Sequence, residues 1–262
     1  MKDGQRPAIY RYAFVTRASH WLWVLALFVL VGSGLQIFNA SPNLDASDKS
    51  DPHRRVLAIG SPADGVGTTT IFGRTFTTTG WLGWTNDGMG SRGAHAFSAT
   101  ITIPGFQDLA GGRRWHFFFA WVAGLCWLAW LVSTAIKGNL RDMVLRPSDL
   151  PKLWPMQAYY LRLRKTPPPY HIYNPLQKAS YTAILFVIAP LVVLTGLALS
   201  PGIDAIANPL TVVFGGRQFA RLWHFAGMLA LLTFFAVHTF QVATQGALNQ
   251  MRSMITGWYR TE

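Results

Sequence analysis

Four stretches of this sequence, residues 18–38, 115–136, 179–200 and 218–243, are each long and apolar enough to cross a lipid bilayer as a helix. A hydrocarbon core takes about twenty mostly apolar residues to cross, and backbone in lipid must satisfy its own hydrogen bonds, as a helix does. The expected fold class is an all-α membrane protein, a four-transmembrane-helix bundle forming one domain over residues 1–262. Composition agrees: 13% of residues are charged and 50% are apolar, where soluble domains carry about 25% charged residues. Pro190 falls inside the third stretch and is expected to kink it, which a membrane bundle tolerates. The first stretch is too long for a cleaved signal and lacks a convincing small-residue cleavage site, so it is expected to remain as a span. The single cysteine, Cys126, permits neither a disulfide nor a CxxCH haem attachment and reads as a packing residue.

Charge orients the spans. The N-terminal segment, the loop between the second and third spans and the C-terminal segment share a side. Together they hold fourteen Lys and Arg against four acidic residues; the other side holds nine against seven. The positive-inside rule places both termini in the cytoplasm, as expected for a multi-pass protein of a bacterial inner membrane. The net charge of +12 then reflects topology and anionic lipid, with no nucleic-acid partner implied. The insertion 39–112 faces outward. Its alternating stretches "TTTIFGRTFTTTGW" and "AFSATITIPGF" suggest short strands in a small cap where a partner sits. On the inner side, "RPSDLPKLWPMQAYYLRLRKTPPPY" mixes Trp and Tyr with Arg and Lys, as interfacial segments do.

Seven histidines divide between loops and spans. His53, His95 and His171 lie in loops and need no special account. His20, His116, His224 and His238 lie in spans, where an ionisable side chain is a functional candidate by default. The topology sorts these four by height, His20 with His238 on the inner side and His116 with His224 on the outer. Within the fourth span, the fourteen residues from His224 to His238 rise about 21 Å and leave the side chains about 40° apart in azimuth. Both imidazoles therefore share one helix face. Imidazoles paired across facing helices hold a planar iron macrocycle, and two pairs would hold two haems. Zinc would want three or four converging ligands, whereas these separate into two layers. A proton relay would recruit intramembrane Asp or Glu, and the four stretches contain none.

Arginine recurs three residues before histidine in "RASH", "RRWH" and "RLWH", one turn away on the same helix face. Arg17, Arg113, Arg114 and Arg221 are thus candidates to pair with haem propionates, although arginines also flank spans as plain interface anchors. Gly32, Gly34, Gly124, Gly196 and Gly227 would let a flat macrocycle or a neighbouring helix come close.

"RASHWLWVLALFVLVGSGLQIF", "GGRRWHFFFAW" and "WHFAGMLALLTFFAVH…MRSMITGWY" resemble the bacterial diheme b-type cytochrome subunits of nickel–iron hydrogenases, formate dehydrogenases and thiosulfate reductases. The elongated 39–112 segment, with "ITIPGFQDLAGGRRWH", is most similar to the thiosulfate-reductase type. The resemblance implies two haem b, one on His20 and His238 and the other on His116 and His224. It implies electron transfer between membrane quinone and a periplasmic redox enzyme, of molybdopterin type for the closest group. It also implies a quinone site near the inner haem, with Tyr12, Arg17 and Gln241 as candidate lining residues. Two other readings remain: a stand-alone superoxide:quinone-type diheme oxidoreductase, and a haem-free membrane anchor or transporter. A homodimer is compatible with all three.

Overall fold

The computed structural model describes residues 7–244 and 246–261. Four helices in it are long and apolar enough to cross a membrane, and they extend the expected stretches by a few residues. They are α1 (Phe14–Asn39), α2 (Leu109–Ile136), the composite Pro175–Leu199 and α9 (Arg217–Thr244). A 28-residue helix is about 42 Å long, enough for the hydrocarbon core and both headgroup layers. Between α2 and the third span lie the short helices α3 (Leu140–Met143) and α4 (Leu153–Tyr160). The third span itself is α5 (Pro175–Ala183), a π-helical turn (Ile184–Ile188) and α6 (Ala189–Leu199). After it come α7 (Pro201–Asp204) and α8 (Asn208–Val213), and α10 (Ala247–Thr256) follows α9.

The irregularity expected at Pro190 takes the form of that π turn. Proline removes an N–H and clashes with the carbonyl four residues back. The wider turn immediately before it, closed by Ala189 N–H to the Ile184 carbonyl, re-routes the hydrogen bonding there.

The chain divides into two compact units. One comprises Ala18–Trp127 and Val193–Ala226 and contains the 39–112 segment. That segment is an ordered cap built on an antiparallel sheet in the order β2 (Asn43–Asp45), β3 (Arg55–Ala63), β4 (Val66–Ile71) and β5 (Arg74–Thr77). "TTTIFGRTFTTTGW" supplies the β4–β5 hairpin as expected, turning at Phe72 and Gly73. A further two-stranded ribbon pairs β6 (Thr85–Asn86) with β7 (Arg92–Gly93). Phe38, Leu44, Ile59 and Ala96 form the core, with Leu222 and Phe225 packed against it.

"AFSATITIPGF" does not form a strand, and only Phe97 makes an isolated bridge, to Leu82. Its backbone is bound to α1 instead. Asn39 exchanges two bonds with the Phe97 main chain at 2.7 and 3.1 Å, Gln36 Nε2 donates to the Phe106 carbonyl at 2.6 Å, and Ile103 N–H donates to the Gly32 carbonyl at 3.1 Å. With those groups satisfied by a helix end, no partner strand is required.

The other unit comprises the chain up to Arg17, Leu128–Val192 and the chain from Gly227 onward. Its 3-10 turn Pro147–Lys152 is fixed by Asp149, which accepts from Lys178 Nζ at 3.0 Å and from Arg146 N–H at 3.1 Å. Asn174 and Gln177 form a reciprocal capping box at the start of α5. In the same unit β1 (Ala8–Tyr10) pairs antiparallel with β8 (Trp258–Arg260), so the two terminal segments hold one another. Gly257 ends α10 with φ of 89°, and a Cβ there would stand 2.6 Å from the Tyr10 ring. Only glycine fits that turn, which accounts for the closing "TGWY".

Candidate functional site

The best-defined site lies in the cap-bearing unit, where α2 supplies His116 and α9 supplies His224. Their ring centroids are 6.1 Å apart with the ring planes at 63°. Each ring is seated in the same way by a different helix. In α1, Ser33 Oγ lies 3.1 Å from His116 Nδ1 and the next residue, Gly34, would place a Cβ 3.3 Å from its Cε1. In α6, Thr195 Oγ1 lies 3.1 Å from His224 Nδ1 and Gly196 would place a Cβ 3.2 Å from its Cε1. Ser33 and Thr195 are both fully buried.

The hydrogen bonding assigns the tautomer of His116. Its Nδ1 lies 3.1 Å from the Leu30 carbonyl, which can only accept. Ser33 Oγ donates to the Val29 carbonyl at 2.6 Å, leaving its lone pairs for the imidazole. Nδ1 therefore carries the hydrogen and Nε2 presents a bare lone pair, the arrangement a metal-binding histidine needs.

The spacing admits a shared iron. An imidazole nitrogen binds a transition metal at about 2.0–2.1 Å and lies about 1.1 Å from its ring centre, so two rings on one ion have centroids about 6.3 Å apart. The observed 6.1 Å fits that separation. Among the described residues no three His, Cys, Asp or Glu side chains gather in a metal-binding group. Two imidazoles alone would suit a macrocycle-bound iron better than a zinc ion, which needs three or four protein ligands.

The other expected site residues are placed as follows. His20 packs edge-on against Trp21 at 5.1 Å, and His238, in the other unit, stacks on Phe234 at 5.6 Å. Arg17 Nη1 donates to the Ile255 carbonyl at the C-terminal end of α10, a position where a guanidinium also complements the helix dipole. Tyr12 N–H donates to the Gly257 carbonyl at 3.3 Å and its ring lies beneath the Arg11 guanidinium; Gln241 is exposed. Arg113 lies over the Phe117 ring at 5.7 Å, and Arg113 and Arg114 are both exposed. Arg221 ties α9 to the cap, donating to the Ser41 carbonyl at 2.7 Å and to Gln218 Oε1 at 3.0 Å. Two of the arginines singled out as propionate partners, Arg17 and Arg221, thus hold protein carbonyls.

The glycines divide as well. Gly34 and Gly196 seat histidines, whereas Gly32 receives the Ile103 side chain and Gly227 receives Val192; a Cβ on Gly124 would meet nothing within 4 Å. Ser33 and Thr195 do not stand out within their own segments of the sequence. The shared triplets "SGL" (Ser33–Leu35) and "TGL" (Thr195–Leu197) were the available signal.

A family model for prokaryotic cytochrome b561 matches residues 11–257, and the chain belongs to that family of b-type cytochrome membrane subunits. A relative in Azospira oryzae, provisionally named as the protein-methionine-sulfoxide reductase subunit YedZ1, is 27% identical over 229 residues, 87% of each chain. A relative in Azotobacter vinelandii, provisionally named as the B-type cytochrome subunit of a Ni/Fe-hydrogenase, is 31% identical over 159 residues. That alignment takes in 55% of this chain and 66% of the relative. A counterpart in Azotobacter chroococcum is 27% identical over the same length. The chain is thus a multi-pass membrane cytochrome b that binds haem b and serves electron transport.

Proposed function

We propose that this protein is a diheme cytochrome b passing electrons across the bacterial inner membrane between quinone and a periplasmic redox enzyme. The observation that carries the reading is the pair of facing imidazoles, His116 and His224, 6.1 Å apart with matching hydroxyl–glycine seats. These two would hold one haem b through Nε2. His20 and His238 would hold the second, His238 standing fourteen residues, a rise of about 21 Å, along the fourth span from His224. Haem b supplies one-electron redox chemistry when bound.

The chain's own contribution is to fix ring orientation and protonation. Ser33 and the Leu30 carbonyl keep the His116 proton on Nδ1, and Thr195 restrains His224 Nδ1. Gly34 and Gly196 leave the space each ring needs. Arg113 and Arg114, exposed at the start of α2, are the better-placed propionate partners for this haem, since Arg221 holds the Ser41 carbonyl. Quinone exchanges protons with water, so its site belongs at the cytoplasmic surface, where Tyr12, Arg17 and Gln241 are its candidate lining. Both termini lie in the cytoplasm in this arrangement, and the ordered cap built on residues 39–112 receives the partner. The subunit names of the relatives support a redox-enzyme partner. A molybdopterin enzyme is the partner class implied by the sequence's likeness to thiosulfate-reductase cytochromes.

A dithionite-reduced minus oxidised spectrum with pyridine haemochrome quantification tests this on the wild type, His224→Ala and His238→Ala. The expected result is two haems b per chain, with each variant losing a different one. One haem per chain, or a haem complement that neither substitution changes, would overturn the diheme assignment. No Soret band at all would favour an anchor or transporter.

A further inference from the structure

Beyond the spans, α10 presents an apolar face that the surrounding described residues leave open. Leu248, Met251 and Ile255 of α10 are 90%, 42% and 59% exposed, and Trp258 just past the helix is 47% exposed. At 100° per residue the three helical positions fall within about 60° of azimuth, a single narrow stripe. Arg252 lies about 40° to one side of it. The opposite face is committed to the protein. Ser253 is fully buried and Asn249 exchanges two bonds with the Arg260 main chain at 2.7 and 3.0 Å, while at the helix end the Ile255 carbonyl receives Arg17. The helix is held in a fixed orientation by polar contacts while presenting hydrocarbon outward.

Its position follows from the chain. α9 ends at Thr244 with Phe240 68% exposed, as a lipid-facing residue of a span is, and α10 begins at Ala247. Three residues reach at most about 10 Å, so α10 starts within that distance of the end of a membrane helix. Gly246, at φ of 87°, breaks the direction of the chain between the two. A ten-residue helix with an apolar stripe, an arginine beside the stripe and a span directly before it has the form of an in-plane interfacial helix. Trp258 extends the stripe with a ring type that favours the headgroup level, and Arg252 can extend to lipid phosphate while its stem stays in the apolar layer.

We infer that α10 lies in the plane of the membrane, with Leu248, Met251, Ile255 and Trp258 seated at the boundary between headgroups and acyl chains. The occupant of the stripe is the lipid leaflet itself. Because β8 and Gly257 clasp β1 and residues 11–12, the leaflet holds the N-terminal segment at this level as well.

Nitroxide labels on the full-length protein test this in nanodiscs of mixed phosphatidylcholine and phosphatidylglycerol. The variants Leu248→Cys, Met251→Cys and Ile255→Cys are made in a Cys126→Ser background, with Asp64→Cys at the exposed β3–β4 turn as the aqueous control. At all three α10 positions, collisions with oxygen should exceed collisions with a water-soluble nickel chelate, and the order should reverse at Asp64. Chelate access at the stripe equal to that at Asp64 would overturn the proposal. Shielding from both reagents, as burial against a second copy of the chain would produce, would also overturn it. The readout does not depend on haem, so it stands or falls separately from the diheme assignment.

Discussion

Adding a single methyl group at Gly34 or Gly196 should weaken haem binding without weakening the helices. A Cβ at Gly34 would lie 3.3 Å from His116 Cε1, and one at Gly196 would lie 3.2 Å from His224 Cε1. Carbon atoms pack best at about 3.5–4.0 Å, so alanine must displace each ring by a few tenths of an ångström from the position its Nδ1 bond defines. Overpacking of this kind costs about 1–3 kcal/mol. At 1.4 kcal/mol per factor of ten, that corresponds to roughly 5- to 150-fold in affinity for the haem that the two rings hold. The helix responds with the opposite sign, because Gly→Ala in a helix interior gains about 0.5–1 kcal/mol. Haem content should therefore fall in Gly34→Ala and Gly196→Ala while thermal stability of the haem-free protein holds or rises. Valine, with two further carbons directed at the ring, should abolish this haem from either position. Gly124→Val is the control, since a Cβ there meets nothing within 4 Å. Pyridine haemochrome stoichiometry and haem titration of the apoprotein read the effect. If Gly34→Val and Gly196→Val retain as much haem as Gly124→Val, the two glycines are not haem-ligand seats and the argument fails.

Ser33→Ala should be milder than the valine substitutions, because the Leu30 carbonyl still holds His116 Nδ1. The loss of one hydrogen bond, about 1 kcal/mol, should appear as roughly a five-fold loss in haem affinity by titration. Asp45 is fully buried in the cap and accepts from Arg55 Nε, Ser50 Oγ, Asp51 N–H and Asn43 Nδ2. Burial pushes its pKa up, but those donors outweigh it and hold the carboxyl below the usual 3.8. A depressed folded pKa means the stabilisation is complete above about pH 4 and is lost as pH falls through the folded value. Asp45→Asn should cost about 3 kcal/mol, as for one member of a buried ion pair, and should flatten that acid limb in a protease-resistance assay of the cap. Gly257→Ala, strained at φ of 89° and clashing with Tyr10, should release the β1–β8 pairing, and protection of the residue 8–10 amides from hydrogen exchange should fall toward zero.

What the sequence made legible was whatever depends on one segment at a time. Hydrophobic length marked the spans, and the spacing of His224 and His238 fixed their common face, because both are properties of a single helix. The alternation in "AFSATITIPGF" misled for the same reason. Period two signals a strand only if another strand takes its backbone bonds, and here Asn39, Gln36 and Gly32 of α1 take them instead. Helix α10 gives only a weak sequence signal, because a few apolar positions in ten residues stand beside a long span.

The hydroxyl–glycine seats needed the pairing of helices to be known, since "SGL" and "TGL" are unremarkable within their own segments. Once the helices are paired, their repetition carries weight. One buried hydroxyl beside one histidine is an ordinary way to satisfy a polar ring. Here two different helices each place a hydroxyl on Nδ1 and, one residue later, a glycine beside Cε1. They do so for two rings spaced for a shared iron. Satisfying a stray imidazole requires the hydroxyl but not the glycine. Holding each ring close against its helix requires both, and that distinction supports the proposed ligand site over a pair of structural histidines.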